Sequence, residues 1–143
     1  MCRPHAFWAV ALFGTLASCG GVVEPQAPSA VRITTAKPTY GPGDTVVVTL
    51  ENISQDRVLY NACSAFLERW QILGWGEVMW AAGDQPCNDN VDALEAGATV
   101  GTWFPIPSTL APGMYRYRFT GITNTDARLL PERERLSNTF SIQ

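Results

Sequence analysis

The eight residues Thr45 to Asn52 alternate strictly, with Val46, Val48 and Leu50 on one side of an extended chain and Val47, Thr49 and Glu51 on the other. A period of two means a strand with one buried face. The same texture continues from Ala30 to the C-terminus: short runs rich in Val, Ile, Thr, Tyr, Phe and Trp, broken by Gly, Pro, Asn and Asp clusters, with no sustained period of 3.6. Strands are expected at Val31–Ala36, Thr45–Asn52, Arg57–Asn61, Ala65–Leu73, Glu77–Ala81, Ala98–Ile106, Gly113–Ile122 and Ser137–Ile142. Gly74-Trp75-Gly76 reads as a hairpin-type connection, Lys37 to Asp44 as a turn-rich bend, and Gly83–Leu94 and Thr123–Arg135 as polar loops. Seven or eight short strands with regular turns predict an all-β, two-sheet antiparallel sandwich.

The first eighteen residues stand apart from this pattern. Arg3 precedes an uncharged run, Ala6 to Leu16, and small residues Ala17 and Ser18 lead to Cys19. An apolar run this short cannot cross a hydrocarbon core of ~30 Å, which takes ~20 residues, so it reads as a removable export signal. Leu16-Ala17-Ser18-Cys19 resembles the lipobox of bacterial lipoproteins. That resemblance implies cleavage before Cys19, a diacylglycerol on its thiol and, in many species, a further acyl chain such as palmitate. With Gly20 following, it implies the outer membrane in a diderm organism. The expected organisation is therefore a signal peptide at 1–18, a lipidated cysteine and tether at 19–29, and one domain at 30–143. The tether holds two prolines and two glycines between Gly20 and Ser29; its ten residues reach at most ~33–36 Å.

Removal of the signal leaves 125 residues, with 9 basic against 13 acidic side chains. That mild acidity gives no support for binding to nucleic acid or to anionic lipid. Of the four cysteines, Cys2 leaves with the signal and Cys19 takes lipid, so Cys63 and Cys87 remain as the pair expected to form one disulfide in an oxidising compartment. Closing a loop of about 25 residues would contribute roughly 3.5 kcal/mol in the chain-entropy view.

Two motifs carry a resemblance for the domain itself. Leu110-Ala111-Pro112-Gly113-Met114-Tyr115 has the form of the tyrosine corner of immunoglobulin-like and fibronectin type III-like sandwiches, which implies a bond from the Tyr115 hydroxyl back to nearby backbone. Lys37-Pro38-Thr39-Tyr40-Gly41-Pro42-Gly43-Asp44-Thr45-Val46 resembles the bend into the second strand of macroglobulin-type and bacterial immunoglobulin-like domains. Gly43-Asp44-Thr45-Val46 through Asn52 is also similar to a strand of the intracellular proteinase inhibitor family, although the export signal and cysteine pair depart from that family. An immunoglobulin-like sandwich is the fold these resemblances imply.

The only histidine, His5, lies in the signal, so the remaining chain has no imidazole for a nucleophilic triad and no histidine ligand for zinc; no cofactor or metal is expected. Asn88-Asp89-Asn90-Val91-Asp92 opens like a calcium loop, but Ala93 and Thr99 stand where an EF-hand requires Gly and Glu, which leaves a polar turn or some other calcium geometry. Trp70, Trp75, Trp80 and Trp103 either fill the space between the sheets, the usual fate of such side chains, or stack on sugars or a partner. Trp75, between glycines, is the one expected at the surface. Arg116 and Arg118 with Arg128, Arg133 and Arg135 either form a docking surface or are neutralised by Glu132 and Glu134 in a solvated hairpin. The function expected is a non-enzymatic, lipid-anchored binding or scaffold module with an envelope protein or glycan as partner. A surface proteinase inhibitor and a glycan-binding module are the alternatives.

Overall fold

The computed structural model describes residues 29–83 and 90–143. The fold is all-β, with eleven strands among the described residues: β1 Val31–Thr35, β2 Thr39–Tyr40, β3 Thr45–Asn52, β4 Val58–Tyr60, β5 Ala65–Gln71, β6 Gly74–Trp80, β7 Asp92–Leu94, β8 Thr99–Pro105, β9 Gly113–Phe119, β10 Thr123–Asn124 and β11 Phe140–Ile142. They pair into a sheet β1-β3-β8, a five-stranded sheet β2-β11-β9-β5-β6, and a small sheet β10-β4-β7.

β3 behaves as its alternation dictates. Val46, Val48 and Leu50 are buried, while Val47 is exposed and faces Trp103 across the ladder with β8. β9 is the counterpart in the larger sheet, burying Tyr115, Tyr117 and Phe119 and turning Arg116 and Arg118 outward. The two sheets meet through rings: Phe104 of β8 lies 5.0 Å from Tyr117 and 6.4 Å from Phe119, centroid to centroid. Phe140 of β11 stacks on Tyr117 at 5.5 Å and meets Tyr40 edge-on at 5.4 Å. Tyrosine and phenylalanine rings thus join the sheets, among aliphatic side chains such as Val46, Val48, Leu50, Leu67 and Ile142.

Several expectations are corrected. The strands exceed seven or eight because pairings of two or three residues form inside segments that read as loops. Thr39–Tyr40 lies within the expected bend, Thr123–Asn124 at the start of one polar loop, and Asp92–Leu94 at the end of the other. Such short elements carry no periodicity of their own; they exist because a neighbouring strand supplies the partner. The pairing is not wholly antiparallel, since β2 runs parallel to β11, Thr39 opposite Ser141 and Tyr40 opposite Ile142.

The bend after β2 takes the geometry its residues favour. Gly43 has φ +82°, after Pro42, and the Asp44 amide donates to the Gly41 carbonyl at 3.2 Å, the pattern of a type II turn. The hairpin turn is displaced. Trp70 pairs with Trp75 and Gln71 with Gly74, so the turn is Ile72-Leu73, and Gly74-Trp75-Gly76 belongs to β6. A β-bulge at Val78 then resets the register, because Leu67 faces Met79 while Glu68 faces Glu77.

Candidate binding surface

The outer face of the five-stranded sheet is assembled from β6, β5 and β9. On β5 the alternation sends Ala65 and Leu67 inward and Phe66, Glu68 and Trp70 outward. Glu68 is the centre of the face. Although on the outside, it is only 6% exposed, because its carboxylate is clasped by two guanidinium groups. Arg116 Nε donates to Glu68 Oε2 at 2.7 Å, Arg118 Nε donates to Oε1, and Arg118 Nη2 reaches Glu77 Oε2 at 2.9 Å. Charge-assisted bonds of this kind hold guanidinium planes in fixed orientations.

Each plane also covers a ring. Arg116 lies over Trp75 at 4.3 Å from the ring centroid, and Arg118 over Phe66 at 5.6 Å. Trp70 meets Trp75 edge to face at 5.4 Å. Trp80, at the other end of β6, donates its indole N–H to the Cys63 carbonyl and remains 39% exposed. Three tryptophans thus share one sheet face with a charge-balanced lattice of two arginines and two glutamates.

This placement overturns the expectation that the tryptophans pack between the sheets. None of the four is buried: Trp70 is 52% and Trp103 63% exposed, Trp80 is exposed, and Trp75 is half-buried. Trp75, expected to be the exposed one, is the most covered, since it sits inside a strand under Arg116 and not in a turn. Trp103 occupies the outer face of the other large sheet, beside Val47.

Arg116 and Arg118 lie together as their spacing implies; Arg133 does not join them. It sits in the 3-10 turn Glu132–Arg135, lining a shallow depression with Val31, Arg32 and Ile33, and its Nη2 is 3.6 Å from Glu134 Oε1. The expected self-neutralised, solvated hairpin is corrected too. Glu134 is buried and accepts from the Ala30 amide at 2.8 Å, while Arg135 donates to the Leu130 and Phe119 carbonyls at 2.9 and 3.0 Å. These side chains pin the long segment to β1 and β9.

Tyr115 is buried at the edge of the core, and its hydroxyl donates to the Ala111 carbonyl four residues upstream at 2.5 Å. Cys63 lies in the 3-10 turn Ala62–Ser64, its amide bonded to the Asn61 side chain at 2.7 Å. Cys19, Cys87, Asn88 and Asp89 lie outside the described residues, as do residues 1–18, expected as a signal, and nearly all of residues 19–29, expected as a tether. Among the described residues no group of three His, Cys, Asp or Glu side chains converges as a metal site would require. No helix among them is long and apolar enough to cross a membrane.

One polar residue that the sequence reading did not single out organises the end of the fold where the described chain begins. Asn52 is fully buried; its Nδ2 donates to the Asp56 and Leu94 carbonyls, each at 2.8 Å, and its Oδ1 accepts from the Ser54 amide and hydroxyl. In the sequence Asn52 shows only as the polar end of the Thr45–Asn52 strand, which marks its position but not its depth.

No family model and no curated protein matches the chain. Among solved structures it is similar to the Pseudomonas fluorescens alkylpurine DNA glycosylase AlkC bound to DNA containing an abasic site analog, at 16% identity and a TM-score of 0.39, covering 82% of this chain and 31% of that one. It is also similar to a PapD-like domain of human CEP192, at 16% identity and a TM-score of 0.36, covering 87% of this chain and 92% of that domain. The chain thus spans about a third of the glycosylase, and likenesses this distant identify no activity.

Proposed function

We propose that this protein is a non-enzymatic, lipid-anchored component of the cell envelope, an immunoglobulin-like sandwich that serves as a binding module. The observation that carries the reading is the outer face of β5, β6 and β9. Its tryptophans stand outside the core, on a surface stiffened by the Glu68–Arg116–Arg118–Glu77 lattice. Rigid aromatic and arginine side chains at a surface are what recognition uses, because they offer contact area at small entropic cost.

The lipid on Cys19 rests on the Leu16-Ala17-Ser18-Cys19 motif. The Cys63–Cys87 disulfide belongs to the same reading, supported by the position of Cys63 in a turn locked to β6. The tyrosine-corner bond of Tyr115 and the ring contacts between the two large sheets support the sandwich. Three tryptophans on one face favour a glycan as the second reading, since sugar rings stack on indoles. The loop around Cys87 that a proteinase inhibitor would present lies outside the described residues, so no geometry supports that alternative.

The test is a photo-crosslinker placed at Trp80 in the native, envelope-associated protein. A reproducible protein or glycan adduct, lost when the same group is moved to Thr49 on the other sheet, supports the reading; identical background from both positions sinks it. Mass spectrometry of the native N-terminus reads the lipid directly.

A further inference from the structure

Ile72 and Leu73, the two residues of the β5–β6 turn, are both 100% exposed. A two-residue turn is where Gly, Asn and Asp fit the backbone best, and the positive φ falls on Gly74 at +131°. Two aliphatic side chains at such a position contribute nothing to the core.

What stands behind them is ordered. Trp70 and Trp75 form the second pair from the turn. Next comes Arg69, whose Nη2 donates to the Pro112 carbonyl at 2.9 Å, and Arg116 lies on the ring of Trp75. From the tip backward the sequence of chemistries is aliphatic, indole, guanidinium. A bilayer met from its hydrocarbon outward presents acyl chains, then the interface where tryptophan concentrates, then phosphates.

We infer that the tip of the β5–β6 hairpin inserts into the interfacial layer of a phospholipid bilayer, giving the protein a membrane contact separate from any lipid on Cys19. The occupant is a lipid surface because the layering matches one, with cationic groups at phosphate height. Arg116 and Arg118 are balanced by Glu68 and Glu77, so the contact requires no anionic lipid; the phosphate of a zwitterionic headgroup is enough.

The placement of the tip is compatible with the anchor. The described chain begins beside Val31 and runs through β1 to Tyr40, whose partner Ile142 pairs with Gly113 at the end where Arg69 and the hairpin tip lie. The tip is therefore at the far end of the domain from the tether. Eight-residue β3 spans ~26 Å at ~3.3 Å per residue. Ten residues that can extend to at most ~33–36 Å exceed that span, so a lipid on Cys19 does not keep the tip from the same bilayer.

The test uses residues 20–143, which contain the whole described core from Val31 to Ile142 but not the lipid-bearing residue. The probe is vesicles of phosphatidylcholine and phosphatidylethanolamine, with and without brominated acyl chains. The expected result is co-sedimentation, quenching of tryptophan emission by the brominated lipid, and at least a tenfold loss of partitioning in Ile72→Asp/Leu73→Asp with an unchanged melting temperature. Ile72→Ser/Leu73→Ser gives the same readout should the charged pair disturb folding. A chain that stays in the supernatant, or variants that bind as well as the parent, overturns the inference. Crosslinking at Trp80 is scored separately, so either proposal can fail while the other stands.

Discussion

Asn52 and Tyr115 show how single polar groups are fitted into an apolar interior. The Asn52 side chain satisfies two carbonyls and two donors of the Ser54 turn at once, in a fully buried position. Asn52→Ala strands the Leu94 carbonyl and is expected to cost about 2–3 kcal/mol, read as a lowered urea midpoint with unchanged slope. Tyr115→Phe keeps the ring stacked on Phe140 at 6.2 Å and removes only the bond to Ala111. A loss of about 1 kcal/mol is expected, roughly a fifteenth to a fifth of a typical domain's stability. The bond from the Tyr115 hydroxyl to nearby backbone was legible from Leu110-Ala111-Pro112-Gly113-Met114-Tyr115, because its spacing is local. The depth of Asn52 was not, since an Asn at a turn looks the same whether water or Leu94 is its neighbour.

At the scale of elements, β5, β6 and β9 act as one unit because Glu68 ties β5 to β9 through Arg116 and Arg118, and Arg118 ties β9 to β6 through Glu77. Removing the shared carboxylate leaves Arg116 without a counter-charge on a largely covered face and Arg118 with Glu77 alone. Glu68→Ala should cost about 3 kcal/mol by thermal or urea unfolding. Glu77→Ala, whose carboxylate is nearly half exposed, should cost under about 1 kcal/mol. A reversed ranking would refute this account of the lattice. The strands themselves were readable from alternation, β3 to the residue, whereas the hairpin turn was not. Glycines marked Gly74-Trp75-Gly76, yet cross-strand pairing of Trp70 with Trp75 and the bulge at Val78 set the turn at Ile72-Leu73. Turn chemistry is a local preference; register is decided by the whole ladder.

For the molecule as a whole, Tyr117 and Tyr60 are buried among aliphatic and phenylalanine side chains, and this makes stability sensitive to alkali. Tyr117 is raised well above the ordinary tyrosine value of 10.0, first by burial and then by neighbouring Tyr40; Tyr60 is raised in the same direction, by burial and then by Asp92. The folded state therefore resists losing these protons more than the unfolded chain does. The corresponding stability is fully present below pH 10 and declines as the pH rises beyond it. Urea midpoints should be level from pH 8 to 9.5 and fall above about 10, with a shallower fall in Tyr117→Phe. Equal slopes for the two proteins would contradict the assignment. By itself, the sequence determined the all-β class, most strand positions and the side of β9 on which Arg116 and Arg118 stand. Each of these follows from a period of two that neighbouring residues carry. Only the tertiary structure decided that the tryptophans lie outside, that Glu134 is buried against Ala30, and that Arg133 is remote from the other two arginines. Those outcomes depend on which strands lie side by side, and the contacts that fix this join residues as far as 104 positions apart.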